Sequence, residues 1–229
     1  MNRIILNMKK TEVLLPPCSS KFYGMPDVWD DFMWPAATKS GYRRHTDDEY
    51  DLDFICQINC AEVAEYDING ILPKTGMLYF FYDQKQKARE DTTIVFYCDG
   101  DLSELKPYLP VDREGNLFDT HPELYSEPYG ERLIERKFAT ELARPEVKIE
   151  FEDEGYKGGG KWRSNKKVDL YPHYLLGIPD EDEKVLPNNQ QLLLLLNSLY
   201  GTLSICYLID KKDLAEKKYY MAWTENIYD

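Results

Sequence analysis

Five acidic residues crowd the stretch Asp47, Asp48, Glu49, Asp51 and Asp53, a density that could hold a hard cation such as calcium. A calcium loop of the EF-hand kind needs glycine at its sixth position to make the sharp turn. Counting from Asp47, that position is Leu52. The run therefore reads as a solvated loop leading into a strand at Phe54, and as a surface that attracts a basic partner. Gly155-Tyr156-Lys157-Gly158-Gly159-Gly160-Lys161-Trp162 fits the opening of a phosphate-binding loop, in which backbone N–H groups cradle phosphates. The residue that must be Ser or Thr to hold magnesium is Trp162, and residues 163–171 are polar and basic and run into Pro172 instead of opening a helix. The stretch reads as a glycine-rich turn between strands.

The remaining reactive side chains form no recognisable constellation. Cys18, Cys56, Cys60, Cys98 and Cys206 are odd in number, and Cys56 and Cys60 are spaced C-x-x-x-C without a second ligand pair nearby. Zinc sites need that second pair. Free, mostly buried thiols in a reducing cytoplasm are the expectation, with no metal and no cofactor. A dyad assembled in space remains open, from His173 with Asp169 or Glu62 with Asp210. The polar residues Gln57, Asn59, Asn197 and Asp210 sit at strand ends, where they either orient a ligand in a cleft or cap the backbone.

Aromatic residues are abundant, with 18 Tyr, 9 Phe and 4 Trp, too many for all to be functional. Those beside the acidic run are the candidates. Trp29, Trp34, Tyr42, Asp47, Asp48, Glu49, Tyr50 and Asp51 together suit a surface that grips a basic protein, because aromatic rings bury area at low entropy cost and acids steer cations.

The whole chain carries the same bias. Its 28 Lys and Arg stand against 41 Asp and Glu, and 28 − 41 gives a net charge of −13. Such a chain is repelled by phosphate backbones and anionic bilayers, so neither nucleic acid nor a membrane is an expected partner. The apolar run at the N-terminus is too short for a signal-peptide core. The stretch Leu192 to Ile209 is broken by Asn197-Ser198 and Gly201-Thr202, as two buried strands joined by a turn would be. A cytoplasmic location is the expectation.

The elements that must position these groups are mostly strands. The segments 54–59, 76–82, 92–98 and 147–151 are rich in β-branched and aromatic residues or alternate apolar with charged. Helices are expected at 131–143, ended by Arg144-Pro145, and at 211–218. Acids at 146–154 followed by bases at 157–167 suggest a hairpin with cross-strand charge pairs. An echo runs through the chain. Gly24-Met25-Pro26-Asp27, then Phe54 to Asn59, then Gly76 to Asp83, match in order Gly177-Ile178-Pro179-Asp180, then Leu192 to Asn197, then Gly201 to Tyr207. The expected fold is α+β and β-rich, an internally duplicated unit of two related halves with a few short helices. It forms a single domain over 1–229, with copies at about 20–83 and 173–210 and a cleft between them.

Those stretches carry a family resemblance. Ser20-Lys21-Phe22-Tyr23-Gly24-Met25-Pro26-Asp27 followed by Trp34-Pro35, Phe54 to Glu62 with Leu72 to Phe81, and Leu175 to Pro179 with Leu192 to Asn197, Ile209-Asp210 and Asp213-Leu214 resemble the YwqG-like proteins of unknown function. The likeness spans nearly the whole chain and is weakest over 110–165. Tyr23 replaces a usual glycine, and Leu195 replaces a glutamine usual in the second half. The resemblance implies a duplicated β-rich α+β fold and no settled activity. Some members are similar to proteins encoded near toxin systems, which implies an immunity role. The sequence thus points to a non-enzymatic acidic module that binds another, basic protein. The alternative is a small-ligand binder or hydrolase using the cleft between the copies.

Overall fold

The computed structural model describes residues 4–10, 15–38, 49–83, 93–108, 147–153, 173–177, 186–196 and 203–228. Tyr79-Phe80-Phe81-Tyr82 shows what organises them. A strand sends successive side chains to opposite faces, so four aromatics in a row demand burial on both sides of the sheet. In β7 (Met77–Tyr82) all six residues are buried. Leu78, Phe80 and Tyr82 enter one apolar cluster, and Met77, Tyr79 and Phe81 enter another on the opposite face.

The other strands are β1 (Ile4–Lys10), β2 (Lys21–Phe22), β3 (Asp27–Val28), β4 (Ala36–Thr38), β5 (Glu49–Asp51), β6 (Asp53–Asn59), β8 (Thr93–Cys98), β9 (Lys106–Pro107), β10 (Val147–Asp153), β11 (His173–Leu175), β12 (Gln190–Leu196), β13 (Leu203–Asp210) and β14 (Trp223–Tyr228). Nine of them and β7 form one antiparallel sheet in the order β14-β13-β12-β11-β1-β10-β2-β6-β7-β8. The sheet curls until β14 and the 3-10 turn Tyr219–Met221 come up against β8. Phe80 of β7 and Tyr207 of β13 meet edge to face at 5.2 Å, and the Tyr207 hydroxyl donates to the Phe81 carbonyl at 3.4 Å. Six strands separate β7 from β13 along the sheet, so this contact crosses the interior of a nearly closed barrel.

This corrects the α+β expectation. Among the described residues the helices are only α1 (Cys60–Val63) and α2 (Lys211–Ala215), of four and five residues. The stretches 20–83 and 173–210 are not two related β-rich units with a cleft between them. The strands β2, β6 and β7 of the first and β11, β12 and β13 of the second belong to one continuous sheet, and their inward side chains fill one cluster. The physical reason is the central pair β1–β10, registered from Ile4↔Asp153 to Lys10↔Val147. It joins the flanking strands through β1 to β11 and β10 to β2.

Two bulges decide which side chains face where. A register shift between Phe54 and Cys56 in the β6–β7 pairing leaves both Ile55 and Cys56 in the interior. Another between Leu192 and Leu194 in β12 puts Leu193 and Leu194 both inside, with Leu192 and Leu195 outside. A bulge inserts one residue and so inverts the alternation beyond it.

Of the expected hairpin with cross-strand charges, the acidic arm is β10, and the basic arm at 157–167 lies outside the described residues. Strand β10 is flanked by β1 and β2, and Glu150 pairs with Lys9 of β1 at 2.8 Å. The expected helix at 131–143, the glycine-rich turn at 155–162 and the turn at Asn197 to Thr202 lie outside the described residues. No helix among the described residues is long and apolar enough to cross a membrane.

Gly76 tests the closeness of β7 to β8. Its φ is +93°, and a Cβ there would lie 2.5 Å from the Cys98 carbonyl oxygen and 2.7 Å from the Tyr97 ring. Gly70, at φ +61°, has open space around it. Urea unfolding should show Gly70→Ala costing about 1–2 kcal/mol for the left-handed backbone alone, and Gly76→Ala costing clearly more, because strain and overlap add. Equal costs would contradict the close approach.

Candidate functional site

The most concentrated buried polar group lies where Cys18 and Asp27, on either side of β2, meet the outer face of β6. The bulge in β6 turns Gln57 to that face, fully buried. Its Nε2 donates to the Asp27 carboxylate at 2.6 Å and to the Ser19 carbonyl at 2.9 Å, while its Oε1 accepts the Asp27 N–H at 2.8 Å. Asp27 Oδ2 also accepts the Cys18 N–H at 3.0 Å and lies 3.4 Å from Lys21 Nζ. The Tyr79 hydroxyl donates to the Asp27 carbonyl at 2.6 Å. Lys21 and Asp27 keep only 3% and 1% of their side-chain exposure.

A charge pair removed from water is tolerated only when its remaining donors and acceptors are met. Here each partner closes another: Lys21 pairs with Gln57 in register across β2 and β6, and Gln57 bonds both ends of the Asp27 residue. The result is a clasp. It holds the loop before β2 and the strand β3 against the sheet, beneath a cover of Val28, Phe32, Leu52 and Leu105.

Cys18 is the nucleophile type within this clasp. Its Sγ donates to the Leu102 carbonyl at 3.2 Å. Burial first, and the Asp27 carboxylate second, push its pKa up to about 11, against a lowering pull from Lys21. The thiol is thus held protonated and committed as a donor, the opposite of the lowered value that activates cysteine. Cys18 also has φ 63° and Tyr23 φ 61°, a left-handed backbone that favours glycine.

The strand-end polar residues divide between two places. Asn59 Nδ2 donates to the Cys18 carbonyl at 3.0 Å, and its Oδ1 accepts the Ala61 N–H at 3.0 Å as the cap of α1. It therefore serves the same loop as Gln57. Asp210 accepts from Asn189 Nδ2 at 3.0 Å, at the far end of the β12–β13 pair. Glu62 accepts the Ser20 N–H at 3.1 Å, so the structure gives Glu62 and Asp210 separate partners. His173 is buried against Phe22, ring centroids 5.2 Å apart, while Asn197 and Asp169 lie outside the described residues.

Of the aromatic and acidic set, Trp29 and Trp34 are packed rather than free. Trp29 meets Phe32 at 5.0 Å and Tyr79 at 6.2 Å. Trp34 meets Tyr108 at 5.0 Å and Phe81 at 5.4 Å, and its Nε1 donates to the Leu52 carbonyl at 2.8 Å. Glu49, Tyr50 and Asp51 form β5, a strand rather than an irregular loop, paired with Thr38, Ala37 and Ala36 of β4. Tyr42, Asp47 and Asp48 lie outside the described residues. No group of three or more His, Cys, Asp or Glu among the described residues could hold a metal ion.

Lys21 and Asp27 do not stand out in the sequence as site residues. A lone lysine opening a short strand looks solvated, and the available signal is Asp27 in a Gly-x-Pro-Asp turn next to a strand containing Gln57.

A family model described as "Domain of unknown function (DUF1963)" matches residues 20–226. The chain belongs to that family. No curated protein matches it.

Breaking the clasp at one charge should be costly and at both much less so. Lys21→Met leaves a buried carboxylate short of a cation and should cost about 3–5 kcal/mol in urea unfolding. Adding Asp27→Asn should recover part of that loss, and strict additivity would contradict a shared network. Cys18 should be alkylated at least about tenfold more slowly than an unfolded-peptide thiol at pH 9, catching up only as pH approaches 11. Because the folded thiol keeps its proton above the ordinary value of 9.0, its contribution to stability is present below pH 9 and falls as pH rises from there.

Proposed function

We propose that this protein is an acidic, non-enzymatic binding module, one domain over 1–229, that captures a basic protein. A toxin-neutralising, immunity-type role is the form we favour, in keeping with the likeness to YwqG-like proteins, which is the finer family placement we propose. One observation carries the reading. Acids exceed bases by 13, so at least that many carboxylates have no Lys or Arg of this chain to pair with one to one. A surplus of that size costs self-repulsion in the folded state and is relieved by a cationic partner.

The buried polar groups that could have carried chemistry support the same reading. Gln57, Asp27, Lys21 and Cys18 spend their hydrogen bonds on backbone and on one another. All five cysteines are thiols outside any disulfide, four of them buried, which supports a reducing cytoplasm as the compartment.

The test is a tagged pull-down from the native host at low and at high salt, with bound proteins identified. The expected result is a stoichiometric basic protein that salt releases. The variant carrying Asp47→Lys, Asp48→Lys and Asp51→Lys should bind it about tenfold or more weakly at low salt with unchanged thermal unfolding. Capture that survives both high salt and the triple reversal would contradict the reading.

A further inference from the structure

The acceptors of the clasp are used, but one buried carboxylate elsewhere is half used. Asp67 lies in the loop between α1 and β7 and is 7% exposed. Its Oδ2 accepts the Leu72 N–H at 2.7 Å, while its Oδ1 is buried and has no hydrogen-bond partner among the described residues. A buried acceptor without a donor is costly, and more so when it is charged. Asp67 itself is anchored by its N–H to the Val63 carbonyl at 3.2 Å, while the exposed turn beyond it is closed by the Gly70 N–H to the Asp67 carbonyl at 3.0 Å.

The Asp67 carboxylate helps raise the pKa values of Cys60 and Tyr219, after the larger effect of burial, with Cys60 pushed up to about 12. Tyr219 packs on Tyr97 at 5.3 Å between ring centroids. Lys217 Nζ stands 5.4 Å from the Tyr97 centroid, so an aromatic face at this corner already attracts an ammonium group. The two segments that contribute Asp67 and Tyr219 also expose three large apolar side chains: Ile68 at 74%, Tyr220 at 63% and Met221 at 50%. Exposed apolar side chains of this size are a common mark of a docking surface.

We propose that the corner formed by the Asp67 loop and the Tyr219–Met221 turn receives a cationic side chain, arginine or lysine, of the basic partner, with Asp67 Oδ1 accepting its proton donors. The exposed turn at 68–70 moves aside to admit it, and Ile68, Tyr220 and Met221 cover its aliphatic stem. The identification of the occupant as basic rests on the proposed capture of a basic protein and on the excess of acids. A guanidinium or ammonium meets the unfilled acceptor and the aromatic faces together.

The experiment uses the full chain and two small probes, N-acetyl-argininamide and its uncharged isostere N-acetyl-citrullinamide, followed by amide NMR shifts. The charged probe should give saturable shifts at Asp67, Ile68, Tyr97 and Tyr219 that the uncharged probe does not. Asp67→Asn keeps an oxygen for the Leu72 N–H and turns the other group into a donor. It should leave thermal unfolding intact and weaken the charged probe about tenfold or more. Lys217→Gln removes the competing ammonium and should bind the probe as tightly as the natural chain or more tightly. Shifts scattered over the acidic surface, equal response to both probes, or unchanged affinity in Asp67→Asn would overturn the site. Probe binding at Asp67 together with an empty pull-down would uphold this site and contradict the partner reading. Capture of the partner undiminished by Asp67→Asn would overturn the site alone.

Discussion

The interior contact between β7 and β13 is the constraint on which the rest depends. An antiparallel sheet of ten strands has two edges and two faces to satisfy. Curling brings Phe80 and Tyr207 together across the inside and carries β14 and the Tyr219–Met221 turn to β8. The interior becomes one cluster running from Ile4 and Leu6 through Phe22, Leu78 and Leu175 to Ile205 and Ile209. The outer face must then be covered separately, and a second cluster around Phe81 and Tyr79 does so on one flank, a third around Leu192 and Leu208 on another.

The clasp arises from that need for cover. Cys18 and the segment 27–34, on either side of β2, lie on the outer side of β6 and β7 with little regular structure of their own, and loops keep buried backbone groups only when something satisfies them. Gln57 and Asp27 take up the Cys18 and Asp27 N–H groups and the Ser19 carbonyl; Tyr79 and Asn59 take up the Asp27 and Cys18 carbonyls. Lys21 sets the charge balance. Residues of reactive type are thereby consumed in holding the cover on the sheet. The excess charge of the chain and the half-satisfied Asp67 stand outside that arrangement.

Much of the strand content is legible in the sequence. The runs at 54–59, 76–82 and 92–98 appear as β6, β7 and β8 within a residue or so, because β-branched and aromatic residues fit a pleated, buried surface. The interruptions in 192–209 do fall between two strands, β12 and β13. Partnership is not legible. The pairing of Ile4 with Asp153 joins residues far apart in the chain, and no local pattern encodes it. A repeated order of turn, strand and strand looks like two units, whereas hydrogen bonding through β1 and β10 fuses those strands into one sheet. Bulges hide the facing of residues: simple alternation does not place Ile55 and Cys56 on the same side. Trp29 and Trp34 sit in irregular backbone, where aromatics look exposed, and only the uncovered outer face of β7 explains why they pack inward. Asp67 stands in an ordinary Asp-Ile-Asn-Gly turn with nothing in its neighbours to announce burial.

Native-state hydrogen exchange resolved by residue tests the central claim, that one curled sheet with one interior holds the chain together. Amides of β6, β7, β12 and β13 should share a single highest opening free energy and lose it together in a Tyr207→Ala variant, because removing the ring empties a space that both flanks of the sheet line. Two groups with distinct opening energies, one covering β6 and β7 and the other β12 and β13, and a Tyr207→Ala effect confined to the second, would show two separately stable units and contradict the account.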